Sequence, residues 1–273
     1  MKWYFCMSEG GLNRYSAMMR VAVASARAKT TLSPHLIYDG ADHPLIDRLA
    51  RDGVTVHRRG TALLSSILAV PEAPGYRHRM AAGGYLRLEI SQIERGDPFV
   101  LYTDCDVMFQ RDVDLDQLQP DVLAAAPETA LTDWTFFNSG VMLLNVAALR
   151  DAYIDLLALA RERLGTPHAY DQAVYNEFFA GRWERLPVNY NWKPYWGENR
   201  DAPIVHFHGP KLPALRYLIH GGPPTVIHQA WRALYERDPV AYRRFYQRAC
   251  AYLDAARETP VAALAIGARL RSA

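Results

Sequence analysis

Short apolar runs alternate with helical patterns over the first 60 residues of the chain. Lys2–Met7, His35–Tyr38 and Val54–His57 are predicted strands, because each is too short for a helix and is bounded by glycine or aspartate. Between them, Tyr15–Lys29 carries apolar residues at helical spacing, and Pro44–Arg51 has the length of a short helix. A chain that alternates in this way is predicted to fold as an α/β domain around a mostly parallel sheet.

The same alternation continues in the second half of the chain. Phe99–Thr103 and Val141–Asn145 are predicted buried strands, and Ala152–Arg163 and Gln172–Phe179 are predicted helices. Asn189–Asp201 is rich in Trp, Tyr, Asn and Pro, which is typical of an ordered loop over a site.

The C-terminal part is predicted to be helical from Gln229 onward, with a domain boundary that divides the chain into 1–225 and a helical extension 226–273. The simpler interpretation is an amphipathic helix that packs on the core and turns its arginines to water. The alternative is peripheral contact with a membrane. The residues that would make this contact are Arg237, Arg243, Arg244 and Arg248, with Tyr242 and Phe245 at the interface.

Composition excludes several classes of partner. The 31 basic and 29 acidic residues among 273 leave a net charge of +2, which gives no reason to expect nucleic acid. The three cysteines are scattered, so a disulfide frame is not expected. No apolar run approaches the ~20 residues of a membrane span. We therefore expect a soluble cytoplasmic protein, with the C-terminal helices as the candidate for contact with the inner face of the cell membrane.

Two acids interrupt the apolar run that begins at Phe99. In an extended segment, Asp104 and Asp106 point to the same side, and Cys105 points away from them. Like charges at the carboxyl end of a strand repel unless a cation lies between them, and ligands of open α/β sheets collect at that edge. The spacing therefore fits a divalent-cation site, but it fits an exposed loop with capping acids as well.

Five segments, taken in chain order, resemble those of retaining glycosyltransferases of the GT-A type, close to family 8, which includes glycogenins and bacterial lipopolysaccharide galactosyl- and glucosyltransferases. The matching segments are Tyr85–Leu88 (YxRL), Leu101–Val107 (LYxDxDV), Phe137–Asn145 (FNxGVMLxN), Asp171–Asn176 (DQxxLN) and Ile204–Lys211 (HFxGxxK). The resemblance implies a GT-A, Rossmann-like fold. It also implies transfer of a hexose from a nucleotide sugar, most simply a UDP-hexose, to a carbohydrate or lipid-linked acceptor with an α-linkage.

The resemblance also implies the site residues. Asp104, Asp106 and His206 would hold Mn²⁺ or Mg²⁺, and Asp171 and Gln172 would lie at the reacting carbon of the donor sugar. The donor-binding residues would be Ser8, Tyr15, Arg87, Cys105, Asn138, Ser139, Gly209 and Lys211. The acceptor would contact Tyr190, Trp192, Trp196 and His208. A cation and Lys211 beside the diphosphate would stabilise the charge of the leaving group.

The sequence departs from the family pattern in three places. Tyr175 stands where the family usually has Leu, and Leu212-Pro213 follow Lys211 where Pro-Trp is typical. The first strand lacks the usual Asp-Asn-Tyr run, so Ser8, Glu9 and Tyr15 are only the nearest candidates for contact with the base.

Simpler roles stay open for single residues. Arg87 could form a surface ion pair with Glu89 or Glu94, Lys211 could be a solvated surface lysine, and Asp171 could cap the helix that follows it.

The reaction course is open as well. Gln172 carries a neutral amide, which is a poor nucleophile, so we favour a front-face displacement over a covalent double displacement through Asp171. Two other functions remain as alternatives. One is a nucleotidyltransferase acting on a sugar phosphate, and the other is a catalytically silent sugar-nucleotide-binding module.

Overall fold

The computed structural model describes residues 1–167, 169–221 and 227–258. In this part of the chain the strands are β1 (Lys2–Ser8), β2 (Ser33–Asp39), β3 (Thr55–Arg58), β4 (Phe99–Thr103), β5 (Val107–Phe109), β6 (Leu123–Pro127), β7 (Phe137–Asn145), β8 (Glu184–Arg185) and β9 (Ile204–His206). The helices are α1 (Leu12–Lys29), α2 (Pro44–Arg51), α3 (Leu64–Ala69), α4 (His78–Tyr85), α5 (Ile90–Ile93), α6 (Val146–Asp151), α7 (Tyr153–Arg163), α8 (Asp171–Phe178), α9 (Leu212–His220), α10 (Gln229–Arg237) and α11 (Pro239–Glu258). Single 3-10 turns lie at Glu9–Gly11, Leu86–Glu89, Val188–Asn191 and Pro194–Trp196.

The central sheet has the strand order β3-β2-β1-β4-β7-β6-β8. Strands β3, β2, β1 and β4 run parallel, whereas β7 runs antiparallel to both of its neighbours, and β8 runs parallel to β6. The predicted α/β fold with a mostly parallel sheet is therefore confirmed. The strand order reverses between β1 and β4, and ligands of open α/β sheets bind beside the carboxyl ends of such strands. Ser8 and Asp104 lie at or directly after these two ends.

Both faces of the sheet are covered by apolar residues, as a central parallel sheet requires. Successive residues of β1 belong to different clusters: Trp3 and Phe5 pack on one, and Tyr4 packs on the other. All three are at most 1% exposed, so the first strand is central rather than marginal. This burial explains why β1 reads as a continuous apolar run with no polar face.

Strand β6 is a feature that the sequence did not predict. Its Leu-Ala-Ala-Ala-Pro sequence has little intrinsic preference for a strand. All five residues are nevertheless buried between β7 and β8. Small side chains suit this position because neighbouring layers approach closely, so the packing around the segment decides its conformation.

The C-terminal helix α11 packs against α1. Tyr242 and Phe245 are fully buried, in a cluster with Met18 and Val21 of α1. The interpretation that these two rings face a membrane interface is therefore wrong, and the simpler interpretation of a packed amphipathic helix is confirmed. Their apolar faces are used inside the protein.

The predicted division at residue 225 falls within 222–226, outside the described residues, and stays a prediction. Over the described ranges, none of the helices combines the length and the apolar character that crossing a membrane requires.

Candidate active site

The two acids of the carboxylate pair occupy the bend between β4 and β5. The Asp104 N–H donates to the carbonyl of Gly140 at 2.8 Å, and the Phe207 N–H donates to the carbonyl of Asp106 at 2.9 Å. The bend is thereby tied to β7 on one side and to the end of β9 on the other. Cys105 is 6% exposed and packs into the core, and burial raises the pKa of its thiol. The Cys105 side chain therefore packs in the core, whereas those of Asp104 and Asp106 lie beside His206.

The imidazole of His206 completes a cluster with the two carboxylates. One ligand atom from each of Asp104, Asp106 and His206 lies within 4.8 Å of the other two. His206 Nε2 is 3.4 Å from Asp106 Oδ1 and 4.0 Å from Asp104 Oδ2. Among the described residues, the buried Asp106 Oδ1 has no hydrogen-bond partner. Two carboxylate oxygens and an imidazole nitrogen are a donor set that suits a divalent transition metal.

The other oxygen of each carboxylate is held by a cation of the protein. Asp104 Oδ1 accepts from Arg87 at 3.0 Å and from the Tyr102 hydroxyl at 2.8 Å, and Asp106 Oδ2 pairs with Lys211. Burial alone would raise the pKa of Asp106, but Lys211 and His206 outweigh it and hold that pKa below its usual range. Asp106 is thus charged, and each of the two carboxylates presents its other oxygen toward the imidazole.

Arg87 is a buried hub rather than a surface residue. It is 5% exposed, and its guanidinium contacts Asp104 and Asp171 at 3.0 Å each, and Ser139 at 2.8 Å. The alternative of a surface ion pair with the acids that follow Arg87 is therefore wrong. Those acids have other basic partners: Glu89 pairs with Arg59 and Glu94 pairs with Lys2.

Asp171 is the first residue of α8 and is 8% exposed. Burial raises the pKa of its carboxyl, and Arg87 opposes this rise. The N-cap position belongs to Tyr170, so Asp171 does not occupy the capping position that the simpler interpretation gave it. The carboxylate rests directly on Gly84, where a Cβ would lie 2.3 Å from Asp171 Oδ1. Only glycine leaves room for the carboxylate there.

The next residue, Gln172, is held by its carbonyl end. Its Oε1 accepts from the Ser139 N–H at 2.9 Å and from Asn138 Nδ2 at 3.2 Å. Asn138 and Ser139 are each 3% exposed, and they join the start of β7 to the start of α8. The structure therefore brings together the residues that the sequence placed beside the donor sugar.

The imidazole of His206 lies between Gly140 and Asn191, and the sequence analysis missed this asparagine. Asn191 Oδ1 is 3.0 Å from His206 Nδ1, and Asn191 is fully buried. A Cβ on Gly140 would lie 2.2 Å from His206 Cε1, so the ring packs on the glycine backbone. The only sequence signals were an amide inside the predicted aromatic loop and a glycine inside a matched segment.

Glu128 is a second residue that the sequence analysis missed. Its carboxylate accepts from Asn138 Nδ2 at 2.6 Å and lies 3.1 Å from His208 Nε2. Burial would raise the pKa of Glu128, but the hydrogen bonds from His208 and Asn138 lower it to about 2. Glu128 directly follows β6, in a stretch whose sequence is typical of a loop. No sequence pattern there distinguished it from other acidic loop residues.

Comparison with known proteins now assigns the family. The model of the family described as glycosyl transferase family 8 matches residues 10–213. This range includes the five segments found in the sequence and the cluster of Asp104, Asp106 and His206. The chain belongs to glycosyltransferase family 8. The residues that contact His206 and Asp171, namely Gly140, Asn191, Gly84 and Arg87, thus lie inside the region that the family shares.

Curated relatives of this family 8 chain are longer proteins. Glycosyltransferase GlyB of Streptococcus pneumoniae is 36% identical over 134 residues, which are 47% of this chain and 32% of GlyB. Probable glycosyl transferase Gly of Streptococcus gordonii is 34% identical over 101 residues, which are 33% of this chain and 14% of that protein. The matched stretch is thus a third or less of each relative.

Solved structures share the fold at low sequence identity. The galactosyltransferase LgtC, in complex with donor and acceptor sugar analogs, has a TM-score of 0.59 and 19% identity, covering 86% of this chain and 100% of LgtC. Mouse xyloside xylosyltransferase 1 has a TM-score of 0.54 and 17% identity, covering 76% of this chain and 98% of that one. Both show that this family 8 chain has the GT-A fold.

The predicted base-binding residues of the family 8 chain lie at the expected edge. Ser8 ends β1, and the ring centroid of Tyr15 is 5.9 Å from Lys211 Nζ. Lys211 is 8% exposed, so the alternative of a solvated surface lysine is wrong. Gly209 has a φ of +96°, and a Cβ there would lie 2.7 Å from Leu234, so glycine is required twice over.

The departures from the family pattern have structural counterparts. Tyr175 is 1% exposed, and its hydroxyl has no hydrogen-bond partner within the described ranges. Burial raises its pKa, so the phenol stays neutral. Leu212 and Pro213 form the start of α9, where proline is well tolerated.

The aromatic loop packs on the body of the protein through polar atoms of its rings. Tyr190 donates to the Asp114 carbonyl, Trp192 to Gly197 at 2.8 Å, and Trp196 to Thr129 at 2.8 Å. All three rings keep partial exposure. The same loop buries Lys193 completely, and this burial lowers the pKa of Lys193 to about 7.

Proposed function

We propose that the chain transfers a hexose from a nucleotide sugar, most simply a UDP-hexose, to a carbohydrate or lipid-linked acceptor, with retention and an α-linkage. The observation that carries the proposal is the cluster of Asp104, Asp106 and His206, with Lys211 against it. This arrangement lies beside the reversal point of the sheet, inside the segment that belongs to family 8. It offers charge where a diphosphate leaving group would develop charge.

The cation site would be formed by the three side chains that face one another. Asp104 and Asp106 would each contribute the oxygen that is not held by a basic residue, and His206 would contribute Nε2. An imidazole ligand among carboxylates favours Mn²⁺ over Ca²⁺, with Mg²⁺ as the alternative. When bound, the cation would act as a Lewis acid on the phosphate oxygens.

Lys211 would stabilise the departing diphosphate together with this site. Its ammonium pairs with Asp106 and donates to the Phe207 carbonyl at 2.8 Å, which fixes its position at the metal-facing edge. A unit charge pair at ~4 Å is worth roughly 4 kcal/mol at an effective dielectric of 20, before desolvation. Such an interaction corresponds to about three decades in rate.

A front-face displacement is the reaction course that the contacts of Asp171 and Gln172 favour. The carboxylate of Asp171 is paired with Arg87 and accepts from Ser139 at 3.3 Å, so it is a poor candidate for a mobile nucleophile. Gln172 has its carbonyl oxygen fixed by β7 and carries a neutral amide. We propose that Gln172 positions the donor sugar while Asp171 provides negative charge beside the oxocarbenium-like centre.

The acceptor would bind against the partly exposed faces of Tyr190, Trp192 and Trp196, near His208. Flat aromatic faces suit the C–H groups of a sugar ring. For a lipid-linked acceptor, the exposed arginines of α11 remain as the contact with a membrane, since the rings of that helix are buried.

A panel of nucleotide sugars, incubated with the purified chain and Mn²⁺, tests the proposal. We expect slow hydrolysis that releases UDP from one UDP-hexose, and loss of this release on chelation. Asp106→Asn should abolish turnover. Donor binding without UDP release would identify a silent binding module, and release of pyrophosphate from a nucleoside triphosphate plus a sugar phosphate would identify a nucleotidyltransferase. Sugar transfer that persists after exhaustive chelation would refute the metal-dependent function.

A further inference from the structure

The amide side chains of Asn138 and Asn191 form a chain of hydrogen bonds from the backbone of β7 to the imidazole of His206. We infer that Asn191 is a positioning residue whose carbonyl keeps the proton of His206 on Nδ1 and leaves Nε2 free as a ligand. This inference rests on the proposed metal site. It goes beyond that site because it assigns a role to a residue in the aromatic loop, outside the carboxylate and histidine motifs.

The orientation of the amide chain is fixed at its first link, the Gly140 N–H. This backbone group can only donate, and it lies 3.1 Å from the side-chain oxygen of Asn138. Asn138 Oδ1 is therefore an acceptor, and Nδ2 must point the other way. There, Nδ2 meets two acceptors, Glu128 Oε2 at 2.6 Å and Gln172 Oε1 at 3.2 Å. Both ends of the Asn138 amide thus agree on one orientation.

The second link transmits this orientation to His206. Because Asn138 Oδ1 accepts, Asn191 must approach it with Nδ2, at 2.9 Å. Asn191 Oδ1 then faces His206 Nδ1 at 3.0 Å, so Nδ1 must carry the proton. In a neutral imidazole, the lone pair of Nε2 is then left facing Asp106 Oδ1, 3.4 Å away. The tautomer is thereby deduced from a backbone N–H three hydrogen bonds away.

The site needs this support because its own carboxylates favour the wrong tautomer. A proton on His206 Nε2 would find Asp106 Oδ1 as a ready acceptor, and that arrangement would block the imidazole as a ligand. Asn191 is fully buried, so water cannot easily replace its carbonyl. Hydrogen bonds to the second nitrogen of a ligating histidine fix its tautomer and orientation, and their loss costs about 10–100-fold in metal affinity.

Mn²⁺ binding by the purified full chain, followed by the electron paramagnetic resonance signal of free Mn²⁺, tests the inference without an activity assay. Asn191→Leu removes the acceptor with the same number and branching of side-chain heavy atoms and should weaken Mn²⁺ binding about 10–100-fold. Asn191→Ser is too short to reach Nδ1 and should show the same loss, so it decides the question if the leucine variant fails to fold. Asn191→Asp keeps an acceptor for Nδ1 but loses the donor to Asn138 Oδ1, so its Mn²⁺ affinity should lie between those of the parent chain and of Asn191→Leu.

Asn176→Leu is the matched control. Asn176 is also buried and hydrogen-bonded, to the backbone of Phe137, but it lies on α8 away from His206. This variant should lower the melting temperature and leave Mn²⁺ affinity unchanged. Unchanged Mn²⁺ affinity in Asn191→Leu or Asn191→Ser would overturn the role of Asn191 alone. A parent chain that binds no Mn²⁺ would instead overturn the proposed metal site.

Discussion

Two halves of the site hold their functional side chains by different means. The arginine half consists of the buried pair of Arg87 and Asp171 with the partly exposed Asp104, and it compensates charge with charge. The amide half consists of Asn138, Asn191 and His206, and it contains no ion pair between its own members. A buried carboxylate needs a counter-charge to stay ionised, whereas a neutral imidazole needs only one acceptor to fix its proton.

The difference has consequences for what each half contributes. In the arginine half, loss of one member leaves an uncompensated buried charge, so folding suffers together with function. In the amide half, loss of one member changes which nitrogen of His206 is free, so metal affinity should suffer more than stability. Substitutions in the two halves can therefore be compared by two measurements, the free energy of unfolding and the affinity for Mn²⁺.

The largest effect is expected for Arg87→Met. It leaves Asp104 and Asp171 without their shared cation, and we expect a loss of about 3–5 kcal/mol in the free energy of unfolding. Transfer activity should also be lost, because both carboxylates would relax. Chemical denaturation and UDP release measure the two effects.

Arg59→Met is the control, since Arg59 pairs with the buried Glu89 outside the site. It should cost stability and leave UDP release intact. If Arg87→Met kept full stability, charge compensation would not be what holds the arginine half.

Gly140→Ala is expected to have the next largest effect, and it acts on the amide half. The new Cβ would lie 2.2 Å from His206 Cε1, so the ring must shift from its position beside the carboxylates. We expect Mn²⁺ affinity to fall at least about tenfold, with a smaller change in melting temperature. Gly96→Ala is the comparison, because its Cβ would lie 3.2 Å from Lys2 Nζ and 3.5 Å from Glu94 Oε1, both outside the site. Equal Mn²⁺ affinities in these two variants would contradict a role for Gly140 in positioning the His206 ring.

Gly84→Ala tests the contact between Gly84 and the Asp171 carboxylate, in the arginine half. The new Cβ would lie 2.3 Å from Asp171 Oδ1 and should displace this carboxylate, with a loss of about 10²-fold in kcat and little change in Mn²⁺ affinity. Alanine in place of glycine within α4 would otherwise stabilise the helix by up to ~1 kcal/mol. Gly83→Ala, which meets the Ser8 hydroxyl at 3.1 Å, measures that gain in thermal melts. A Gly84→Ala enzyme with parental kcat would show that Asp171 need not stay where it is.

The smallest effect is expected for Glu198→Gln, which loosens the attachment of the aromatic loop to α11. Glu198 pairs with Arg200, Arg244 and Arg248, which are partly or largely exposed. We expect a loss of about 1 kcal/mol or less, larger at low salt than at high salt. Asp201→Asn removes one exposed pair and should have almost no effect on melting. Identical melting of both variants at low salt would show that the network adds nothing.

Much of the fold was predictable from local patterns. The parallel strands β1 to β4 are short apolar runs between helices with clear periodicity, so their type followed from sequence alone. Strand β6 was not predictable, because an alanine-rich segment becomes a strand only between two existing neighbours. For the same reason, the burial of Tyr242 and Phe245 depended on where α1 lies.

The sequence by itself indicated which groups are candidates to bind and react, because Asp104, Asp106, His206, Asp171 and Gln172 stand in segments that resemble those of family 8. Only the tertiary structure decided how these groups are held. Arg87 reaches Asp171 across 84 positions of the chain, and the amide chain to His206 joins β7 with a loop about 50 residues later. Local patterns report propensity and periodicity, whereas hydrogen bonds between distant segments depend on how the strands and loops pack.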